Sequence, residues 1–171
     1  ELGRLDEAEV SYRQAIALRP DYIDALDCLG VLMQELGRYE EAEASYRQTI
    51  VFAPDNAVCH ANLGGTLQAQ GKLEEAEASY KQAIALRPGY IAVINNLGAV
   101  AQAMGKVEEA EAHFRQTIAL KPDNAVVYAN LGITLQTQGR LEEAEASYRQ
   151  ALALKPAYAK AHTKLGQILT E

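Results

Sequence analysis

Cysteine is scarce in this sequence: two residues in 171, Cys28 and Cys59, at different places within the internal period described below. That spacing excludes a thiol-built disulfide or metal framework and leaves both as buried or incidental thiols. No stretch approaches the roughly 18 apolar residues that a membrane helix needs, and no basic-apolar leader is visible. Bases are outnumbered, 16 Lys and Arg against 23 Asp and Glu, for a net charge of −7. Nucleic acid is therefore a poor partner, because phosphates need a clustered basic surface.

Chemistry-bearing arrangements are missing too. There is no Gly-x-Ser-x-Gly elbow. The run Gly65 to Lys72 has one residue too many between its glycines for a phosphate loop, and Leu73 stands where a Mg²⁺-binding hydroxyl is needed. His60, His113 and His162 have no second His or Cys at ligand spacing. The sequence predicts no enzyme, no cofactor and no metal site. It predicts neither a nucleic-acid nor a membrane partner, and the thiol content is compatible with the cytoplasm as the expected location.

What the sequence does have is repetition. Ala57–Tyr90 returns as Ala125–Tyr158 with 25 of 34 positions identical, 68 residues later. Looser copies span 23–56 and 91–124. The chain opens with the second half of a unit (1–22) and closes with the first half of one (159–171), as a piece of a longer protein would. A single array of 34-residue modules is expected over 1–171.

The punctuation has the same period. Pro20, Pro54, Pro88, Pro122 and Pro156 each follow an apolar helix-forming run, where a ring without N–H ends the helix. Gly3, Gly37, Gly71, Gly105 and Gly139 fit helix C-termini that need positive φ. Gly30, Gly64, Gly98, Gly132 and Gly166 lie inside helical patterns, where Gly costs about 1 kcal/mol against Ala. A cost taken repeatedly implies close approach by another helix. Two helices of about 12 to 15 residues per unit remain.

Second helices start with acidic pairs, from Asp6-Glu7 to Glu142-Glu143, which complement the helix dipole. Glu9, Glu43, Glu77, Glu111 and Glu145 each precede a base by four residues, a pairing expected on a solvated face. Ala8, Ala42, Ala76, Ala110 and Ala144, each with an aromatic four later, form the inward stripe.

The Leu-Gly pairs, the Ala-x3-aromatic series and the terminal prolines resemble the tetratricopeptide repeat (TPR) family over the whole chain. Departures are local: Leu26, His60, Ile94, Tyr128 and His162 replace the family's first-helix Trp, and Met33, Leu67, Ala101, Leu135 and Leu169 its later Tyr. The resemblance implies an all-α, right-handed superhelical solenoid of antiparallel helix pairs, with the first helix of each unit lining a concave groove. It also implies a protein or extended peptide as partner.

On those first helices the resemblance turns particular places toward the groove. The sixth place reads Cys28, Asn62, Asn96, Asn130 and Lys164; the twelfth reads Gln34, Gln68, Gln102, Gln136 and Thr170. An amide offers one acceptor and two donors and can pair with a peptide backbone without reading its side chains. The Asn rail is similar to that of O-linked N-acetylglucosamine transferases, where asparagines hold substrate peptide. Asp24, Asp27 and Glu35 make one end acidic; Lys160 and Lys164 make the other basic, and with Asn130 they match part of the family's carboxylate clamp. Asn95 and Ala99 replace the clamp's remaining Lys and Asn. Tyr22, Tyr90 and Tyr158 alternate with Asn56 and Asn124 after the prolines, which is expected to alternate groove contacts.

The reading that follows is a non-catalytic scaffold holding an extended peptide. The alternative is a substrate-recruiting arm of a larger enzyme such as a glycosyltransferase. End-to-end self-association is a further expectation, since both terminal helices carry apolar stripes.

Overall fold

The computed structural model describes residues 2–170, the side chains of Leu2 and Gly3 excepted. Its described residues form ten helices and no strand: α1 (Leu2–Leu18), α2 (Ile23–Glu35), α3 (Tyr39–Phe52), α4 (Ala57–Ala69), α5 (Leu73–Leu86), α6 (Ile91–Ala103), α7 (Val107–Leu120), α8 (Ala125–Thr137), α9 (Leu141–Leu154) and α10 (Ala159–Ile168). First helices span 13 residues from α2 to α8 and second helices span 14 from α3 to α9. Each Pro sits two residues past the end of a second helix. Gly37, Gly71, Gly105 and Gly139 take φ between 71° and 76° in the tight turns between paired helices, a region open to residues without Cβ. Gly3, expected at a helix C-terminus, falls instead inside the first turn of α1. Asp6 and Glu7 lie a turn inside α1, not in its first turn as expected, because that helix is longer than the others.

The chain divides into two compact units, Glu1–Pro88 and Gly89–Glu171. In the first, α2 pairs with α3 and α4 with α5; α1 packs on α2, α3 on α4, and the first helices α2 and α4 touch each other. In the second, α6 pairs with α7 and α8 with α9; α7 packs on α8, α9 on α10, and α8 touches both α6 and α10. Both are all-α helical-repeat stacks, as the periodicity predicts.

The core is the inward stripe. Ala42, Ala76, Ala110 and Ala144 are fully buried, as are the aromatics four residues on, Tyr46, Tyr80, Phe114 and Tyr148. Burying side chains of that size contributes about 1.5–3 kcal/mol each. The aromatic rings explain the mid-helix glycines. A Cβ on Gly30, Gly64 or Gly132 would lie 2.6 Å from the ring of Tyr46, Tyr80 or Tyr148, and one on Gly98 would lie 2.8 Å from Phe114. Gly166 departs from the pattern and has nothing within 4 Å. Leu169 is likewise exposed, where its counterparts Met33, Leu67, Ala101 and Leu135 are buried.

The replaced Trp places also find structural work. Leu26 and Ile94 are buried. The Nε2 atoms of His60 and His162 lie 2.9 Å and 2.8 Å from the Pro54 and Pro156 carbonyls, tying a helix to the turn before it.

Candidate functional site

The second helices carry a charge ladder that is structural. All five expected i,i+4 pairs form, from Glu9–Arg13 to Glu145–Arg149. The same acids also reach the next second helix: Glu9 to Arg38, Glu43 to Lys72 and Glu111 to Arg140, at 2.7–2.8 Å. Arg13, Arg47 and Arg115 complete the ladder through Glu41, Glu75 and Glu143. The solvated face expected for these acids is thus only half right: Glu43 and Glu77 are buried. Arg38 holds Glu9 and Glu41 below the usual carboxylate range. Burial pushes Glu43 and Glu111 up, but Lys72 and Arg47 for the first, and Arg115 and Arg140 for the second, outweigh it and leave both lowered. Each of these acids has a basic partner, and the pairs tie successive second helices together within each unit.

The first helices are different. Asn62 and Gln68 lie on α4 of the first unit; Asn96 and Gln102 on α6, Asn130 and Gln136 on α8, and Lys160 and Lys164 on α10 all belong to the second. Asn96 and Lys160 are exposed, while Asn62, Asn130, Lys164 and the three glutamines are half-buried. Beside the amides stand Val58 and Val126, both more than two-fifths exposed. The Lys164 ammonium donates to Gln167 Oε1 at 3.1 Å.

The glutamines are oriented from behind. Tyr46, Tyr80 and Tyr148 donate their hydroxyls to Oε1 of Gln34, Gln68 and Gln136 at 3.2, 3.0 and 3.2 Å. With its oxygen taken, each of these amides presents its N–H₂ end. Gln102 breaks the series, because Phe114 has no hydroxyl to offer. Its Nε2 instead donates to Thr134 Oγ1 at 3.0 Å and to the Asn130 carbonyl at 3.4 Å. A uniform glutamine rail was expected; the structure shows three amides that accept from a tyrosine through Oε1 and one, Gln102, that donates through Nε2. Sequence reasoning missed this, although the 12-residue Gln-to-Tyr spacing and the Phe114 exception are both visible in the sequence.

The post-proline alternation also resolves differently from expectation. Asn56 Oδ1 accepts from the backbone N–H groups of Val58 and Cys59, and Asn124 Oδ1 from that of Val126. They are N-caps of α4 and α8. Tyr22, Tyr90 and Tyr158 occupy the same place with no side-chain cap. The alternation decides how a helix starts.

Two clefts open on the first unit, one bounded by Leu5, Ala8 and Tyr12 of α1 as well as by α2 and α4, the other along α2 and α4. One, of about 420 Å³, includes Asp27, Cys28, Val31, Glu35, Val58 and Asn62 in its lining. The other, of about 460 Å³, is lined by Val31, Gln34, Glu35, Tyr39, Asn62 and Ala69. Among the described residues no group of three or more His, Cys, Asp or Glu is placed to hold a metal ion. No helix among the described residues is long and apolar enough to cross a membrane.

Comparison with known proteins agrees with this geometry. Tetratricopeptide repeat models match residues 21–89, 89–157 and 1–37. The crystal structure of MamA is 25% identical, with a TM-score of 0.87 over 92% of both chains. A thermophilic TPR protein of Thermus thermophilus is 25% identical, with a TM-score of 0.72 over 99% of this chain and 93% of its own. YrrB, described as a TPR protein with an unusual peptide-binding site, shares the fold at 17% identity, with a TM-score of 0.80 over 93% of this chain and 82% of its own. No curated protein gives a significant match. The chain belongs to the tetratricopeptide repeat family, and is a helical protein-interaction scaffold.

Proposed function

We propose that the first helices of each unit hold an extended peptide through its backbone. The observation that carries this reading is the tyrosine–glutamine pair repeated at residues 34, 68 and 136, which fixes each amide through its oxygen at one repeated place on the first helices and leaves its N–H₂ as the end that can donate. Such donors suit peptide carbonyls, while Asn62, Asn96 and Asn130 supply both donor and acceptor. The peptide-binding site ascribed to YrrB, a protein of the same fold, points the same way. Holding by backbone leaves selectivity to the residues around the amides, such as Val58, Val126 and the charged ends. In the second unit Lys160 and Lys164 share α10, so an acidic C-terminus is the chemistry that end would favour. No covalent step is part of this function.

A peptide array probed with the wild type and with an Asn62/Asn96/Asn130→Ala variant tests it. The variant should lose binding across unrelated sequences alike, because the backbone is common to all of them. Retention of every wild-type spot would remove the amides from the site.

A further inference from the structure

Within the first unit, α2 differs from every other first helix in charge. Its fifth place is Asp27 and its thirteenth Glu35; the corresponding residues are Ala61 and Ala69 on α4, Asn95 and Ala103 on α6, Ala129 and Thr137 on α8, and Thr163 and Glu171 in the last repeat, so the pair of acids is found on α2 alone. Both carboxylates line the 420 Å³ cleft, Glu35 lines the 460 Å³ cleft as well, and no Lys or Arg lines either one. Asp27 Oδ2 accepts from Asn56 Nδ2 at 3.2 Å, but Oδ1 is buried without a hydrogen-bond donor. The Cys59 thiol lies between the Tyr46 carbonyl, 3.3 Å from its sulfur, and the Asp27 carboxylate, and it is a neutral group that offers Asp27 no positive charge. The charge on Asp27 is therefore left without an internal cation. Its reach is visible: after burial and Cys59, Asp27 raises the pKa of the Tyr46 hydroxyl, and Glu35 adds to it. That hydroxyl bonds Gln34, which lines the second cleft.

We infer that these adjoining clefts form a cation-selecting subsite, which takes a Lys or Arg side chain of an extended segment lying along α2 and α4. Asn62, shared by both clefts, holds the backbone of that segment; Val31 packs its methylene stem; Asp27 and Glu35 supply the field for its charged head. The inference rests on the peptide-holding reading above and adds the class of side chain read. Asn95, which stands 68 residues on from Asp27 and also has a buried Oδ1 without a donor, is the neutral version of the same place. It shows that an amide is accommodated there.

The test uses two 12-residue peptides of Ala, Ser and Thr, identical except for a central Lys or Gln, titrated by fluorescence anisotropy at low and high salt. Wild-type protein should bind the Lys peptide about fivefold tighter, equivalent to ~1 kcal/mol for a partly exposed ion pair, with the preference fading as salt rises. The Asp27→Asn/Glu35→Gln variant should bind both peptides with the wild-type affinity for the Gln peptide; that unchanged value also shows that the cleft is intact. Equal affinity of the two peptides for wild type would overturn the cation subsite alone, as would a Lys preference that survives the double substitution. Failure of both peptides to bind would overturn the backbone-holding reading and this inference with it.

Discussion

Gly64 meets the ring of Tyr80 so closely that a Cβ on the glycine would lie 2.6 Å from Cδ1. Tyr80 is buried and its hydroxyl is bonded to Gln68, so the ring cannot swing away without losing that bond. Gly64→Ala should therefore destabilise the protein by about 1–3 kcal/mol, the usual range for overpacking. Gly166→Ala meets nothing within 4 Å and should be neutral or stabilise by up to ~1 kcal/mol through helix propensity. Urea unfolding followed by helical signal checks both. Equal effects at the two glycines would show that contact with the ring is not what demands glycine.

The hydroxyl of the same ring has its own consequence. Tyr80→Phe removes the donor to Gln68 and should cost about 1 kcal/mol, a typical net hydrogen bond. The converse change, Phe114→Tyr, supplies a donor beside Gln102, an amide already held in place by its Nε2 bond to Thr134. It should bring no comparable gain. An NMR side-chain amide spectrum would show Gln102 shifting to resemble Gln68 and Gln136 in that variant.

Acid should loosen the ladder of second helices. Glu9, Glu41, Glu43, Glu111 and Glu143 all have folded pKa values below the ordinary 4.5. A lowered carboxylate stabilises the fold above its ordinary pKa, and that contribution disappears as pH falls through the folded value. Stability measured by thermal melts should hold down to about pH 4.5 and then fall, more steeply at low salt, where exposed pairs count most. Arg38→Ala should flatten part of that acid limb, since it is the first cause of the shifts at Glu9 and Glu41.

At alkaline pH the sign reverses. Burial pushes Tyr148 up to about 12 from 10, and pushes Cys59 up to about 12 from 9, with Asp27 adding to the latter. Groups raised in this way stabilise the fold below their ordinary values and cease to do so as pH climbs toward 12. Unfolding should set in above about pH 9–10, and Cys59→Ala should move its onset upward. In a Cys28→Ala background, which removes the exposed thiol, ultraviolet thiolate absorbance rising at pH 9 in folded protein would contradict the burial of Cys59.

The basic end of the second unit makes a separate prediction. Lys164 donates to Gln167 across an exposed surface, a contact that a ligand carboxylate could replace cheaply. A peptide ending in acidic residues should lose binding about fivefold on Lys164→Ala, or ~1 kcal/mol. Calorimetry showing unchanged affinity would remove Lys164 from the site.

The fold was legible in the sequence because the repeat states each local instruction several times. Prolines two residues past helix ends, glycines at positive φ and the Ala-x3-aromatic stripe each act over a few residues, and the 34-residue period shows which instances matter. The family followed from those same residues. Site residues were less legible. Asn62, Asn96 and Asn130 could be placed on first helices, but not divided between two compact units. Asn56 and Asn124 suggested groove contacts until their side chains were seen capping helices.

What the sequence determined by itself is local: helix type, length and ends, and which face of each helix is apolar. Those properties depend on backbone dihedrals and on a period of 3.6, both written within one unit. Only the tertiary structure decided which polar atoms are occupied. Gln102 differs from Gln68 because residue 114 lacks an oxygen; Asp27 carries charge without a cation beside it because the groups that reach it, the Asn56 amide and the Cys59 thiol, are neutral. A hydrogen-bond partner is chosen by position in space among several residues of the right chemistry, and a linear pattern ranks those residues equally until the helices are packed.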